Sequence, residues 1–301
     1  MPGGRAHVRA RSHSVSAAVL GRRCRSCGKA GGGDPQGPWR RRGVGRVGTQ
    51  QSAELMPRVV ASIEARMTSS RLPGKILSDI AGRPALSRML ARLRLAKRLD
   101  GIVLATTDRP TDDATARWAE TEGVACFRGS EDDVLARVVG AQRSQRSEIV
   151  VELCGDCPLI DPQVIDRGVE SFLAGGVDVV STTQRSTYPR GLDVQVFRLD
   201  ALEHVAETID DPPVREHVSL YFYEHPERYR VHHLTAPADC LAPELRCVLD
   251  YPADREFISE VYRLLEPKYG DAFGAREIVA LLQAEPALAD INRHCQSRAA
   301  R

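Results

Sequence analysis

The chain lacks any apolar run that approaches the roughly 18–20 residues of a membrane-spanning helix. Aromatic residues are also scarce, at 5% of 301 residues, although the 42% hydrophobic content is sufficient for a buried core. We therefore expect a soluble, cytoplasmic protein that does not bind membranes.

A disulfide pattern is also missing. The eight cysteines are scattered along a chain that is rich in core residues, unlike the dense cysteines of small disulfide-stabilised domains. Cys24 and Cys27 have the spacing of half a zinc site, but no second pair follows at zinc-finger spacing. We interpret this pair as accidental.

Acidic residues are almost absent from residues 1–55, which contain eleven Arg or Lys residues against only Asp34 and Glu54. Removing them from the totals of 42 basic and 40 acidic residues leaves 31 and 38, so residues 56–301 carry a net charge of −7. Affinity for nucleic acid depends on phosphate charge that the protein neutralises. The sequence therefore predicts no nucleic-acid partner.

Residues 1–55 are rich in Gly, Arg and Ser and have no sustained hydrophobic period. Such a segment buries too little apolar surface to order itself, so we expect a disordered basic tail. Met56 directly precedes the first strand pattern, and our hypothesis is that it is the native start. A transit peptide is the alternative, because the segment is Arg-rich and acid-poor. We expect the folded domain to span residues 56–294.

From residue 58 onward, strand and helix patterns alternate. Short apolar runs predict strands at 59–63, 102–105, 124–127, 149–153, 177–180, 194–197 and 245–249, with helical patterns between them. Runs that are apolar on both faces are typical of parallel strands covered by helices on both sides. The alternation predicts an α/β fold of three layers, with a doubly wound, mostly parallel, Rossmann-like sheet that binds ligands at its carboxyl edge.

A basic loop with several hydroxyl groups follows the first predicted strand, and residues 65–75 read ARMTSSRLPGK. Its guanidinium and ammonium groups, on Arg66, Arg71 and Lys75, are suited to neutralise a triphosphate. The loop is not a Walker A motif, because Ile76 follows Lys75 and the spaced first glycine is missing. The alternative interpretation is a solvated basic turn.

Two aspartates follow predicted strands, and each has a proline two positions further on: Asp156 precedes Pro158, and Asp250 precedes Pro252. Proline ends a strand and fixes the turn, so we expect both carboxylates to project from the sheet edge. Two such carboxylates can hold Mg²⁺, which takes its remaining oxygens from water and phosphates. Alternatively, each aspartate caps a helix.

Cys154 and Cys157 surround Asp156 in a C-x-x-C arrangement, which also permits a thioredoxin-like interpretation. The motif lies after a fourth strand, and Asp156 stands where redox motifs usually have a small or ring-containing residue. We therefore assign this segment to the aspartate motif.

Taken together, these motifs resemble the cytidylyltransferase superfamily, which activates sugar acids as CMP-sugars. The resemblance is closest to the branch called spore coat polysaccharide biosynthesis protein F, which is similar to acylneuraminate cytidylyltransferases. The matching stretches occur in order at 65–75 (ARMTSSRLPGK), 105–107 (ATT), 127–135 (FRGSEDDVL), 155–161 (GDCPLID), 188–193 (YPRGLD), 215–218 (REHV), 250–252 (DYP) and 291–292 (IN).

The resemblance implies a nucleotide-diphospho-sugar transferase-like fold and an Mg²⁺-dependent transfer of CMP from CTP to a nonulosonate-like sugar acid, with release of pyrophosphate. It also implies a role in surface polysaccharide or glycan biosynthesis, and homodimers are common in the family. Two alternatives stay open. One is an enzyme of the same fold that uses another nucleotide or a sugar phosphate, and the other is a non-catalytic nucleotide-binding protein.

The same resemblance assigns the site residues. The triphosphate ligands would be Arg66, Ser70, Arg71 and Lys75. The cytosine and ribose contacts would be Thr107, Arg128, Gly129 and Ser130. The Mg²⁺ ligands would be Asp156 and Asp250, which form the catalytic set with Arg66 and Lys75. The residues that face the sugar would be Tyr188, Arg190, Glu216 and His217.

Three positions depart from the family pattern. Glu64 stands where glutamine is common, Cys154 replaces a usual threonine, and residues 181–183 (STT) stand where an asparagine is expected. All three lie near the predicted pocket, so they bear on nucleotide fit and on the identity of the sugar.

Overall fold

The computed structural model describes residues 56–296. The predicted tail, its Cys24–Cys27 pair and the segment preceding Met56 lie outside the described residues. The disorder of the tail and the native start therefore stay predictions.

The described elements alternate much as the sequence predicts. The strands are β1 (Val59–Glu64), β2 (Asp79–Ile80), β3 (Arg83–Pro84), β4 (Gly101–Thr107), β5 (Ala125–Gly129), β6 (Ile149–Cys154), β7 (Val179–Ser181), β8 (Gln195–Arg198) and β9 (Val231–His233). The helices are α1 (Ala85–Leu93), α2 (Asp113–Glu122), α3 (Val134–Ser144), α4 (Pro162–Leu173), α5 (Leu199–Thr208), α6 (Pro212–Glu216), α7 (Leu220–Glu224), α8 (Pro252–Tyr269), α9 (Ala275–Ala284) and α10 (Pro286–Asp290). None of these helices is both long and apolar enough to cross a membrane.

Seven strands form one sheet in the order β5-β4-β1-β6-β8-β7-β9. β1 pairs in parallel with both β4 and β6, and β8 is antiparallel to its two neighbours. The mostly parallel, doubly wound sheet is thus confirmed. The strand order reverses at β1, and at such a switch point the loops after β1 and β6 open a crevice for ligands.

Helices cover both faces of the sheet, which confirms the three layers. On one face, the side chains of Ala61 and Ile63 belong to a core that includes residues of α1, α4, α8 and α9. On the other face, Val150 and Phe197 pack with residues of α3, α5 and α7. Strands buried on both faces explain the continuous apolar runs in the sequence.

The predicted strand at 245–249 is wrong, because this segment is extended but does not join the sheet. Its backbone hydrogen bonds go to several separate partners and not to one neighbouring strand. Arg190 exchanges bonds with Leu245 and Cys247, and the Leu249 amide donates to the Asp156 carbonyl at 2.8 Å. Only an isolated bridge, Arg190 to Arg246, results. An apolar run alone does not distinguish a strand from an extended segment that crosses the sheet edge.

Gly191 lies where the 188–193 loop meets this extended segment. Its φ is +98°, which side chains rarely adopt, and a Cβ there would lie 2.6 Å from the carbonyl carbon of Cys247. The loop and the segment that carries Asp250 can therefore approach each other only with glycine at this position.

We predict that Gly191→Ala lowers the free energy of unfolding by about 2–6 kcal/mol, because backbone strain and steric overlap each cost about 1–3 kcal/mol. Gly82→Ala is the matched control, since Gly82 has a similar φ of +86° but open space around the position of a Cβ. Urea denaturation of both variants measures the difference. Equal losses of unfolding free energy in the two variants would show that the close contact between Gly191 and Cys247 does not contribute.

Candidate active site

The loop after β1 is folded by its own backbone. The Met67 carbonyl accepts hydrogen bonds from the amides of Ser69 and Gly74, both at 3.0 Å. Gly74 is left-handed, with φ +70°, and a short 3₁₀ helix begins directly after it at Lys75. This turn sends the Lys75 side chain back towards the carboxyl edge of the sheet, where it is buried.

Lys75 lies between the two aspartates that the sequence singled out. Its Nζ donates to Asp156 Oδ2 at 2.5 Å and to Asp250 Oδ1 at 2.7 Å. Burial acts to lower the pKa of the ammonium, but the charges and hydrogen bonds of the two carboxylates outweigh burial, so the pKa of Lys75 is raised. The structure thus brings together three predicted site residues from three separate segments.

Asp250 is surrounded by cations. Besides Lys75, Arg71 approaches its Oδ1 at 2.6 Å, and Arg246 contacts its Oδ2 at 3.1 Å. Burial acts to raise the pKa of Asp250, but hydrogen bonds and charges from Lys75 and Arg71 prevail and the pKa is lowered. Behind it, Asp254 accepts bonds from Arg246 and from the Asp250 amide. Asp250 is therefore held as an anion in a fixed position.

Neither Asp156 nor Asp250 caps a helix. The N-cap of α4 is Asp161, whose side chain accepts from the Gln163 amide at 2.7 Å. The N-cap of α8 is Tyr251. Neither carboxylate is therefore committed to a helix cap, and both face the cations of the loop after β1.

Two features fit a metal-nucleotide complex. Oxygens of Asp156 and Asp250 converge on one cationic group, and carboxylate oxygens are the ligands that Mg²⁺ prefers. In addition, Nη1 of Arg71 is buried without a hydrogen-bond partner in residues 56–296. An unpaired buried donor beside carboxylates is suited to a phosphate oxygen. The remaining loop residues, Arg66 and Ser70, are exposed, and Arg66 lies 3.5 Å from Glu131.

The residues predicted to bind cytosine and ribose line the ends of β4 and β5. Thr107 is fully buried and donates to the carboxylate of Asp112. Arg128 donates to the Thr107 carbonyl at 2.9 Å and pairs with Asp113 at 2.7 Å, while Ser130 is exposed after β5. Gly129 bonds through its carbonyl to the Asp108 amide at 2.8 Å. These residues form one edge of the crevice on the β4 side of β1.

The four residues predicted to face the sugar are not gathered at one point. Tyr188 is 1% exposed, and its hydroxyl accepts from Arg167 on α4. Arg190 is exposed beside the extended segment that leads to Asp250. Glu216 and His217 lie at the end of α6, exposed and half-buried respectively.

Comparison with known proteins decides the family. A sequence model of the family described as cytidylyltransferase matches residues 60–262. The chain belongs to the cytidylyltransferase family. The resemblance inferred from the motifs is thus confirmed.

Individual cytidylyltransferase relatives agree with this assignment. The spore coat polysaccharide biosynthesis protein SpsF of Bacillus subtilis is 33% identical over 232 residues, which cover 74% of this chain and 93% of that protein. A 3-deoxy-manno-octulosonate cytidylyltransferase of Anaeromyxobacter dehalogenans is 38% identical over 184 residues, covering 56% of this chain and 74% of that protein. The solved structure of a cytidylyltransferase from Leptospira borgpetersenii is 28% identical, has a TM-score of 0.74, and is covered completely by 81% of this chain.

The thiols of this cytidylyltransferase do not resemble a redox centre. Cys154 and Cys157 are free, and burial raises the pKa of both thiols well above their ordinary value. Reactive cysteines require an accessible thiolate in electropositive surroundings. The geometry favours the aspartate motif over the redox interpretation.

Motif analysis missed Asp112. This aspartate is fully buried, and its carboxylate accepts from the Met67 amide at 2.7 Å and from Thr107. It therefore links the phosphate-loop backbone to the end of β4. The only sequence signal was an aspartate at the start of the helical pattern that follows the 102–105 strand, which a simple cap also explains.

A second acidic centre lies beside the loop. Glu64, the last residue of β1, is hydrogen-bonded to Glu152 of β6, and burial followed by the charge of Glu152 raises the pKa of Glu64 well above its ordinary value. Burial also raises the pKa of Glu152. Like charges this close cannot both ionise readily, so Glu64 keeps its proton to a higher pH than a free glutamate does.

We predict that Arg246→Met lowers the free energy of unfolding by about 3–5 kcal/mol, because it leaves Asp250 and Asp254 buried with a lost partner. Arg263→Met, which removes an exposed pair with Glu260 on α8, serves as the control and should cost less than about 1 kcal/mol. Chemical denaturation measures both. Similar losses in the two variants would show that Arg246 is no more than a surface charge.

We also predict a pH signature for the carboxyl pair. The folded state keeps a proton that the unfolded chain releases near the ordinary pKa of 4.5. Its stabilising contribution is therefore complete below that pH and is lost as the pH rises towards the raised pKa of the folded pair. Glu64→Gln has no such proton, so its stability relative to the wild type should increase with pH by up to about 1.4 kcal/mol per unit.

Denaturation curves of the wild type and Glu64→Gln between pH 4 and pH 8 test this prediction. Parallel profiles of stability against pH for the two proteins would exclude a raised pKa for this carboxyl pair. Glu207→Gln, at a site on α5 paired with Arg143 at the surface, controls for the substitution itself.

Proposed function

We propose that this cytidylyltransferase uses Mg²⁺ and CTP to transfer CMP to a sugar acid, with release of pyrophosphate. The observation that carries the proposal is the position of Lys75 between the carboxylates of Asp156 and Asp250, at 2.5 and 2.7 Å. The names of two relatives, a 3-deoxy-manno-octulosonate cytidylyltransferase and a spore coat polysaccharide biosynthesis protein, support a sugar-acid acceptor and a role in polysaccharide synthesis.

The phosphate-binding work falls to the loop after β1. Arg71 and Lys75 present cations next to the two aspartates, and Arg66 with Ser70 stands exposed at the mouth of the crevice. These groups neutralise the triphosphate, so that an oxygen nucleophile can approach the α-phosphorus. Asp156 and Asp250 would hold Mg²⁺, which when bound contributes further charge neutralisation.

In the reaction, the anomeric hydroxyl oxygen of the sugar forms a bond with the α-phosphorus of CTP and loses its proton to water. The bond between the α-phosphorus and the bridging oxygen breaks, and pyrophosphate leaves with the electron pair. The protein contributes alignment and fixed charges rather than covalent chemistry. A cluster already held rigid by Arg246 and Asp254 is suited to this task because its charges need no reorganisation.

The base and sugar contacts complete the proposal. Thr107, Arg128, Gly129 and Ser130 would bind cytosine and ribose on the β4 side. Among the residues assigned to the sugar, exposed Arg190 is suited to a carboxylate, and Tyr188 would act through Arg167 because its hydroxyl is already bound there. Glu216 and His217 would contact the sugar from α6. The homodimer implied by the family stays a prediction.

We predict that calorimetric titration in the presence of Mg²⁺ gives tighter binding of CTP than of UTP, GTP or ATP, and that a panel of sugar acids elicits pyrophosphate release. Asp156→Asn should lower kcat/KM by roughly 10²–10³-fold, because one of the two carboxylates that fix Lys75 and would hold Mg²⁺ loses its charge. Chelation of divalent cations should abolish turnover.

Cys157→Ser is the matched control beside Asp156, and it should retain activity within about threefold, since its thiol is only a weak hydrogen-bond donor to that carboxylate. Loss of activity in this variant with retention in Asp156→Asn would favour the redox alternative. Preference for another nucleotide would favour a different transferase of the same fold. CTP binding without turnover on the whole panel would favour a non-catalytic nucleotide-binding protein.

A further inference from the structure

A row of polar side chains crosses the sheet on the β6 side of the crevice. Glu64 is in register with Cys154, Glu152 with Gln195, and Gln195 with Ser181. Residues in register on neighbouring strands, and residues two apart on one strand, share a sheet face. These five residues, which we name the polar row, therefore form a continuous surface across β1, β6, β8 and β7.

Hydrogen bonds join the polar row into one network. Glu64 is bonded to Glu152, whose other contact is the side-chain amide of Gln195. The hydroxyl of Tyr223, from α7, donates to Gln195 Oε1 at 2.5 Å and lies 2.6 Å from the Ser181 hydroxyl. Such a buried network fixes its side chains, so the groups it presents to the crevice are positioned in advance.

The network is incomplete at its open end. Glu64 Oε1 is buried without a hydrogen-bond partner in the described part of the chain. Cys154 is exposed, and Glu64, Gln195 and Thr183 are half-buried. Unsatisfied buried acceptors are rare in native proteins and indicate a missing partner that can donate hydrogen bonds.

Several carboxyl groups lie along this region. Glu64 and Glu152 are side by side, and Asp193, half-buried and accepting from the Gly191 amide, lies in the loop just before β8. Asp156, which is paired with Lys75, adds a further carboxylate at the end of β6. Arg137 of α3 offsets part of the charge at Glu64, and its guanidinium also binds the Ser130 and Glu131 carbonyls.

We propose that the polar row is the specificity-determining surface for the acceptor, and that it receives a hydroxyl- or amino-bearing part of the sugar while rejecting a negatively charged group. The inference rests on the proposed function. The side of the crevice around Lys75 attracts anionic phosphates. The polar row presents carboxyl oxygens, which can accept hydrogen bonds from a hydroxyl or amino group. A carboxylate placed there would meet like charge in a partly buried site, which is strongly unfavourable.

The test uses three acceptors that differ at one group: 3-deoxy-manno-octulosonate, its analogue with an amine in place of the C8 hydroxyl, and its analogue oxidised to a carboxylate at C8. Wild-type protein should use the hydroxyl and amino compounds with a kcat/KM at least about tenfold above that of the C8 carboxylate compound. The double variant Glu64→Gln/Glu152→Gln should reduce this discrimination to less than about threefold.

Glu207→Gln is the matched control, because it makes the same exchange at a surface glutamate of α5 outside the polar row. It should retain the tenfold discrimination. CTP affinity measured by calorimetry should be unchanged in both variants. Equal use of all three compounds by the wild type, or unchanged discrimination in a double variant that still binds CTP, overturns the inference.

A second readout does not require turnover or variants. Calorimetric titration of the protein with the three compounds, in the presence of CTP but without Mg²⁺, measures acceptor binding directly. The hydroxyl and amino compounds should bind at least about tenfold more tightly than the C8 carboxylate compound. Equal binding of all three, or binding of none, overturns the inference, whereas binding with no pyrophosphate release after Mg²⁺ is added counts against the proposed function alone.

Discussion

The ammonium of Lys75 between two carboxylates is the interaction on which the rest of the site depends. Its partners, Asp156 and Asp250, are 81 and 175 residues away in sequence. Charges are costly to bury unless each is paired, so a third and fourth group are required to hold Asp250 in place. Arg71 and Arg246 meet that need, and Asp254 in turn compensates Arg246. Each charge in the cluster is therefore paired with the next, from the Lys75 ammonium outwards to groups that contact solvent.

The fold explains how such distant segments meet. β1 lies between β4 and β6, so the loops that follow β1 and β6 leave the same edge at the point where the strand order reverses. The segment that ends at Asp250 reaches this edge without joining the sheet, because it bonds instead to Arg190 and to the Asp156 carbonyl. The position of a strand within a sheet is set by hydrogen bonds to the neighbouring strands. The position of this segment is set instead by hydrogen bonds to the two loops that form the site. That difference places Asp250 above the sheet edge and opposite Lys75.

The sequence was informative where one residue type serves one physical purpose. Apolar runs located β1, β4, β5 and β6, and the basic loop and the two Asp-x-Pro motifs are the segments that the fold brings together in the ion cluster. It was less informative where a side chain acts through a partner that only folding supplies. Nothing in the sequence distinguishes Asp112 from other aspartates or Tyr188 from other tyrosines. Only the fold shows that the Asp112 carboxylate accepts from the Met67 amide and that the Tyr188 hydroxyl accepts from Arg167. The 245–249 segment was misassigned because hydrophobicity reports burial and not the identity of the hydrogen-bond partner.

The departures from the family pattern acquire a common meaning once the register is known. Glu64, Cys154 and the 181–183 stretch are unrelated in sequence, yet the first two are registered partners and Ser181 continues the same face through Gln195. Changes that converge on one surface alter what that surface binds, whereas scattered changes would only adjust packing. Lys75 and Arg71 are paired with Asp156 and Asp250 at the carboxyl edge of β1 and β6, and the polar row lies beside this ion cluster. In the proposed reaction the ion cluster binds phosphates whatever the sugar, so under the same proposal the choice of acceptor falls to the polar row.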